Sequence, residues 1–397
     1  MSLDRKQLGE RLRDIRQDLG FTQAEVAGLL ELHRPAISEI EAGRRAVASE
    51  ELYEFSRIYA VAVADLLAQP TPSCAQIERI LFRGPGLETP AARAAIRRFV
   101  QRCGAERELE GLLGIEPPED QRPGYRLSAP TSSGQAIHHG TRMAEQERRR
   151  LGLGALPLRN PLSLLERQGV RIGPLRDFEA GEIEGIYFET EELGACVAIN
   201  TARDFGTGFR SAFTAAHEYA HWLLRDVEVE TFRFQGGNND LGEVRANAFA
   251  AAFLMPEEGV REYFASIGLL ENDLVDRLSP GDVVLAMDHF GVSRSALLYR
   301  LQNLKLLAPE TAKELRTRDI HVHRVAKALG LRFRRERKDS SRMNALVTEA
   351  WRRGLITTGR AADLIDTDVE TFRQRMQDQG EHVEPTEGEL LGAAAVP

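Results

Sequence analysis

Thr214-Ala215-Ala216-His217-Glu218-Tyr219-Ala220-His221-Trp222-Leu223-Leu224 decides how this chain is read. The stretch holds no Gly or Pro, and its Ala, Leu and Glu favour a helix. On a helix, positions i and i+4 lie one above the other on one face. His217 and His221 then aim two imidazole nitrogens at one point. That pattern suits Zn²⁺, which takes His nitrogen and keeps an open position when it serves catalysis. Glu218 follows the first His directly, where it can reach water at that position as a general base. Paired His residues at this spacing also occur as surface or satisfied core groups, so the five-residue pattern alone leaves both readings open.

A second stretch shifts the balance. Gly242-Glu243-Val244-Arg245-Ala246-Asn247-Ala248-Phe249-Ala250-Ala251-Ala252-Phe253-Leu254-Met255-Pro256 reads as an Ala-rich helix closed by Pro256. Glu243 can supply an oxygen ligand and complete a His₂Glu catalytic set. Asn247 lies at i+4 from Glu243, where its side chain can hold a ligand His in orientation from outside the site. Phe249, Phe253, Leu254 and Met255 read as core whether or not Glu243 binds a metal.

The pair HEYAHWLL and EVRANAFAAAFLMP resembles the ImmA/IrrE family of metallopeptidases, which have a gluzincin-type site. Glu147-Arg148-Arg149-Arg150-Leu151-Gly152-Leu153-Gly154, Val197-Ala198-Ile199-Asn200 and Arg210-Ser211-Ala212-Phe213-Thr214 agree with it, so the resemblance covers roughly residues 140–310. It implies zinc ligands His217, His221 and Glu243, with Glu218 as the catalytic base. Arg245 departs from the pattern, standing where relatives often carry a second acid.

Length and composition bound the rest. A chain of 397 residues has room for roughly two to four domains. Its 42% hydrophobic and 28% charged content suit globular cores throughout. The net charge of −8 argues against a broadly basic nucleic-acid binder, although a local patch can override it. Cys74, Cys103 and Cys196 are few, odd in number and without metal spacing, which predicts free thiols in a reducing cytosol. Cys196 reads as core, since no Cys–His pairing is visible. Leu3, Leu8 and Leu12 are separated by charges, so no signal region opens the chain. No stretch approaches the ~20 apolar residues that span a bilayer. The expected location is cytoplasmic, with no membrane partner.

The first 68 residues have a helical pattern of their own. Leu8, Leu12, Ile15 and Leu19 recur at three and four residues, and Gly20 ends that helix. Thr22 and Glu25 form a capping box for the next helix. A turn near Glu31-Leu32-His33 leads into Arg34-Pro35-Ala36-Ile37-Ser38-Glu39-Ile40-Glu41, with Pro35 in the first turn, where a missing donor costs nothing. Two short helices across a tight turn are a helix-turn-helix. TQAEVA, AISEIEAG and Leu52-Tyr53-Glu54-Phe55-Ser56-Arg57-Ile58-Tyr59-Ala60-Val61 resemble the Cro/repressor-type (XRE) family. That resemblance implies that the helix from Arg34 enters the DNA major groove. Arg34 and Glu39 are the candidate base readers, since Arg pairs with G and Glu accepts from C. Gln23, Ser38, Arg44 and Arg45 are the candidate phosphate contacts. Nine Lys/Arg against twelve Asp/Glu, net −3, is a poor footprint for a DNA binder and keeps dimerisation or partner docking open. The clustering of Arg34, Arg44 and Arg45 favours DNA.

Pro70-Thr71-Pro72-Ser73 opens a linker. A helix over roughly Pro90 to Leu113 follows, its Arg93, Arg97, Arg98 and Arg102 read as a solvated face, and then a loop from Gly114 to Thr131. Helices near Ile137–Leu151 and Ser163–Arg167 precede three strand candidates, Val170–Ile172, Gly185–Phe188 and Ala195–Ile199. A sheet beside the ligand helix would wall a cleft, and an extended substrate could add to its edge. Residues 257–310 are helical, most clearly Ser293–Leu301. His289, and His138 and His139 in a loop-like stretch, read as structural. Arg332-Phe333-Arg334-Arg335-Glu336-Arg337-Lys338 is a basic run, read as solvated. Asn344–Arg353 and Thr358–Ile365 suggest two short helices, and the residues after Gly380 read as disordered.

The expected fold is mainly α, an N-terminal all-α helix-turn-helix bundle joined to a small α+β gluzincin-like peptidase domain. The expected division is 1–68 helix-turn-helix, 69–134 connector and loop, 135–310 peptidase and 311–397 helical C-terminal region. The expected function is a transcriptional regulator with Zn²⁺-dependent endopeptidase activity. Mn²⁺ is also possible, because His₂Glu tolerates several divalent ions. Its expected partners are an operator duplex and a protein substrate, and it could be a homodimer. The resemblance implies a helix-turn-helix repressor as substrate, cut in cis or in trans under a stress or mobile-element signal. The rival reading is a non-proteolytic regulator or antitoxin-like protein whose peptidase fold senses a ligand or docks a partner.

Overall fold

The computed structural model describes residues 4–59, 61, 63–67, 90–116, 122–125, 127–158, 160–175, 184–200, 208–224, 241–272, 274–275, 277–331, 333 and 341–378. The linker reading at Pro70–Ser73, the basic run apart from Phe333, and the tail after Gly380 lie outside these residues. The chain divides into two compact units, Met1–Gly104 with Leu175–Glu182, and Ala105–Pro174 with Ile183–Pro397.

In the first unit, α1 (Arg5–Asp18), α2 (Gln23–Leu29), α3 (Arg34–Glu41), α4 (Ser49–Tyr59) and α5 (Val63–Leu67) surround one core. Asp4 and Thr22 each close a capping box, with Gln7 and Glu25, as the spacing predicts for Thr22. Gly20 takes φ 74° and ends α1. Leu12, Ile15, Val26, Ile37, Ile40, Phe55 and Tyr59 are buried together. Beneath them Arg16 holds Glu41 through a bidentate ion pair, 2.5 and 3.0 Å, and Gln23 adds a hydrogen bond to the same carboxylate at 2.9 Å. The acid of α3 is thereby tied to both preceding helices, which sets the angle of the pair.

The helix expected from Pro90 to Leu113 is present as α6 (Pro90–Leu113). Of its Arg residues, Arg97 is buried and Arg98 and Arg102 are half-buried, so these three are not a solvated face. Arg97 is buried, because Ala92, Ala95, Ile96, Phe99, Val100 and Cys103 bury that part of the helix on most sides.

The second unit carries α7 (Ser133–Arg150), α8 (Pro161–Arg167), β1 (Arg171–Leu175), β2 (Gly185–Thr190) and β3 (Gly194–Asn200). The strands coincide with the three apolar runs singled out in sequence. They form a sheet of order β1-β3-β2, with β2 and β3 antiparallel and Gly185 opposite Ile199. Cys196 is buried on β3, a core residue as read. Helices α9 (Phe209–Leu224) and α10 (Leu241–Leu254) follow, and α7 lies along α10. Gly140 permits that approach, since a Cβ there would sit 2.2 Å from the carbonyl oxygen of Arg245. His138 and His139 lie on α7, not in a loop. Helices α11 (Glu257–Ser266), α12 (Pro280–Phe290), α13 (Arg294–Asn303), α14 (Pro309–Thr317) and α15 (Val322–Ala328) complete the same core. His289 stacks on Tyr263 with ring centroids 4.3 Å apart, a packing role.

Three more helices, α16 (Ser341–Arg352), α17 (Thr358–Leu364) and α18 (Val369–Asp378), pack with Leu109 and Leu113 of α6 around Met343, Val347, Trp351, Phe372 and Met376. Two were expected; α18 was not. No helix among the described residues is long and apolar enough to cross a membrane.

Candidate metal centre

Helices α9 and α10 bring the quoted residues together. His217 Nε2 lies 3.2 Å from His221 Nε2. Glu243 places one oxygen 3.1 Å from His217 Nε2 and the other 3.4 Å from His221 Nε2. Atoms about 2.0–2.1 Å from a tetrahedral ion stand roughly 3.3 Å apart. The two His nitrogens stand at that edge length, and the carboxylate straddles them with one oxygen near each, so the three side chains can converge on a Zn²⁺-class ion. Among the described residues no other group of three His, Cys, Asp or Glu converges in this way.

Asn247 Oδ1 lies 3.0 Å from His217 Nδ1. An amide oxygen only accepts, so Nδ1 carries a proton whether the ring is neutral or charged, and Nε2, which faces Glu243, is the nitrogen that would bind a metal once deprotonated. Burial alone would lower the His217 pKa, but the Glu243 hydrogen bond and the charges of Glu218 and Glu243 outweigh it and raise it. Glu243 shows the converse. Burial favours its neutral form, yet hydrogen bonds from both His residues hold it well below the usual carboxylate range. Burial raises the pKa of Glu218, against the opposing pull of His217 and His221.

The surroundings hold α9 and α10 rigidly, through contacts that sequence spacing did not reveal. Tyr219, inside the His-Glu-x-x-His stretch, donates to Glu147 of α7 at 2.6 Å, and Tyr125 and Arg150 bond the same buried carboxylate. Arg148 donates to the carbonyls of Phe253, Gly154 and Leu156, and Arg300 donates to Met255. Together they satisfy carbonyls where α10 ends, which the helix itself leaves unpaired. Burial pushes both arginines down to about 10. Arg245, where relatives often carry an acid, is buried within α10. Gly185, at the start of β2, is the neighbour of Glu218: a Cβ there would stand 2.8 Å from Glu218 Oε1 and 2.6 Å from Thr214 Cγ2. A strand-opening glycine was the one signal for it.

In the N-terminal unit, Arg34, Glu39 and Arg44 are exposed and Ser38 is half-buried. Two candidate DNA contacts have partners within the domain. Gln23 bonds Glu41, and Arg45 pairs with Glu51 at 2.6 Å.

Residues 165–302 match the IrrE N-terminal-like domain of the Peptidase_M78 family, and residues 7–69 match a helix-turn-helix domain family. Over 60 residues the chain is 37% identical to the HTH-type transcriptional regulator DdrOP3 of Deinococcus deserti, covering 15% of this chain and 46% of that one, so the match spans under half of the relative. Among solved structures, the crystal structure of ComR from Streptococcus suis aligns over 95% of this chain and 89% of that one, at 11% identity and a TM-score of 0.16, too low to bear on the fold. The two family matches agree with both resemblances read from the motifs. The chain carries an XRE-type helix-turn-helix at its N-terminus and an IrrE-like domain after it.

Proposed function

We propose that this chain, with its helix-turn-helix and its IrrE-like domain, is a DNA-binding regulator with metal-dependent endopeptidase activity on a specific protein, most simply a helix-turn-helix repressor. The observation that carries the reading is the convergence of one donor atom each from His217, His221 and Glu243, with the Glu218 carboxylate close enough to act on both imidazoles. A divalent ion held by these residues, Zn²⁺ or in the cell Mn²⁺, supplies a Lewis acid and a lowered pKa for water. Glu218 then takes a proton from the attacking water and returns it to the leaving amine. Burial raises its pKa, the direction that helps it hold the proton between the two transfers. Asn247 keeps the His217 ring in the ligating tautomer. β2 has β3 on one side only among the described residues, so its other edge can take an extended substrate backbone next to Glu218. In the helix-turn-helix, Arg34 and Glu39 read base edges, and Gln23, Ser38, Arg44 and Arg45 meet phosphates, Gln23 and Arg45 with what their internal partners leave free.

The test is a comparison of proteomes. Glu218→Gln removes the base and leaves all three ligands. A repressor, or this chain itself, should disappear with the wild type and persist with Glu218→Gln, with cleavage slowed by at least ~10²-fold and metal content unchanged. Equal turnover by the two forms would remove Glu218 from its role. No cleaved protein under any inducing stress would favour the sensor reading.

A further inference from the structure

Helices α16, α17 and α18 repeat the geometry of α1, α2 and α3. In both, a glycine with positive φ ends the first helix, Gly20 at 74° and Gly354 at 67°. Its amide bonds three residues back, Gly20 to Gln17 and Gly354 to Trp351. The next amide bonds five residues back, Phe21 to Arg16 and Leu355 to Ala350. A threonine, Thr22 or Thr357, caps a seven-residue second helix. A non-glycine residue then turns through positive φ, Glu31 at 54° and Asp366 at 52°. Leu32 and Thr367 each donate back five residues, to Ala27 and Ala362. The third helix starts at Arg34 in one and Val369 in the other. From Thr22 to Glu41 the registers run in step with Thr357 to Met376, and only one extra residue, Ile356, separates them from the first helix. Val26, Ala27 and Ile37 are buried, as are their equivalents Ala361, Ala362 and Phe372.

We propose that α16–α18 is a second helix-turn-helix and that α18 is laid on duplex DNA. A tight helix pair is not enough by itself: α12 and α13 also make one, but Ala296, Leu297, Leu298, Arg300 and Leu301 bury α13. Helix α18 buries only Phe372 and Met376. It exposes Arg373 and Gln374 where α3 has Ser38 and Glu39. Arg and Gln are the side chains that read guanine and adenine edges bidentately. The exposed Arg and Gln commit this face to base edges, and charge opposes a duplex less than it does in the first helix set. Residues 341–378 hold six Lys/Arg against six Asp/Glu, net 0, whereas residues 1–68 are net −3. The proposal borrows from the N-terminal reading only the manner in which such a helix meets a groove.

The test uses the full-length Glu218→Gln chain and a pool of randomised duplexes from which it selects its own sites. Footprints are compared for that chain, for an added Arg34→Ala, and for an added Arg373→Ala/Gln374→Ala. Arg373 and Gln374 are exposed, so folding is undisturbed, and Arg373→Lys serves as the conservative control. Two protected patches are expected. The α18 variant should lose one of them, bind roughly tenfold or more weakly and show a shallower salt dependence. Arg373→Lys should restore the salt dependence but not the base preference. If the α18 variant keeps the full footprint, affinity and salt slope while Arg34→Ala loses them, the second helix-turn-helix is not a DNA surface and the N-terminal reading stands. If Arg34→Ala changes nothing and the α18 variant loses binding, the N-terminal reading fails and this one stands. A chain that selects no duplex at low salt overturns both and points to a protein partner.

Discussion

Replacing Asn247 by Ala removes one oxygen from the metal centre and nothing else. Asn247 is exposed on α10, and Ala is the better helix former, so the fold is undisturbed. What is lost is the 3.0 Å bond that keeps the proton on His217 Nδ1. Without it the neutral ring is free to carry its proton on Nε2, where the lone pair must face the ion, and to swing out of line. Removing such an outer partner costs about 10–100-fold in metal affinity, or about 1.4–2.7 kcal/mol. The measurement is a zinc titration against a competing chelator at fixed pH. Asn247→Asp retains the acceptor and should bind at least as tightly as wild type. Equal affinity in wild type and Asn247→Ala, at equal helix content, would refute the idea that Asn247 sets the tautomer.

Gly185→Ala should leave metal content intact while slowing cleavage by about 10²-fold, because the new methyl must displace Glu218, and misplacement near 1 Å has costs of that order; a rate equal to wild type on the same substrate would mean the carboxylate has room to spare. Arg148→Met leaves the carbonyls of Phe253, Gly154 and Leu156 without their donor. We expect a loss of about 3 kcal/mol, seen as a melting temperature roughly 6–12 °C lower; a shift of under a degree would show that other donors take over. In the helix-turn-helix, Arg34→Ala should cost about 1–3 kcal/mol at one operator position. Arg45→Ala should weaken binding to all sequences alike, less than a free arginine would, because Glu51 already holds it. A base-specific effect at Arg45 would reverse the two roles.

Local chemistry made parts of this molecule legible. The Thr22–Glu25 box, Gly20 and Pro35 act within a turn of their own position, and the structure carries each of them. His217 with His221, and Glu243 with Asn247, were readable because helical periodicity places i and i+4 together. That the two pairs meet was readable only from the resemblance. The pairing of Tyr219 with Glu147 spans 72 residues, and that of Gly185 with Glu218 joins a strand to a helix; no periodicity announces either. Arg97 misled because charge normally marks a wet face, whereas here the helix around it is buried. Helix α18 went unseen because only Phe372 and Met376 of it are apolar and buried.

Among the described residues β2 pairs with β3 alone, and an edge position has a cost as well as a use. An edge strand invites another chain of the same kind as readily as a substrate, and proteins commonly blunt such edges with charge. Here the protection sits at the two ends of the strand. At the far end of the strand Glu189 is held at 2.7 Å by Arg122, whose guanidinium lies 5.3 Å over the Trp222 ring, and Tyr187 bonds the same carboxylate. At the near end stands Gly185, with no side chain at all. Glu184, ion-paired with Arg210 at 3.3 Å, precedes that glycine, so charge brackets the strand and leaves receptive only the short stretch between, beside Glu218. Neutralising Arg122 or Glu189 would lengthen the sticky stretch, and the first symptom would be aggregation on storage, before any change in catalysis.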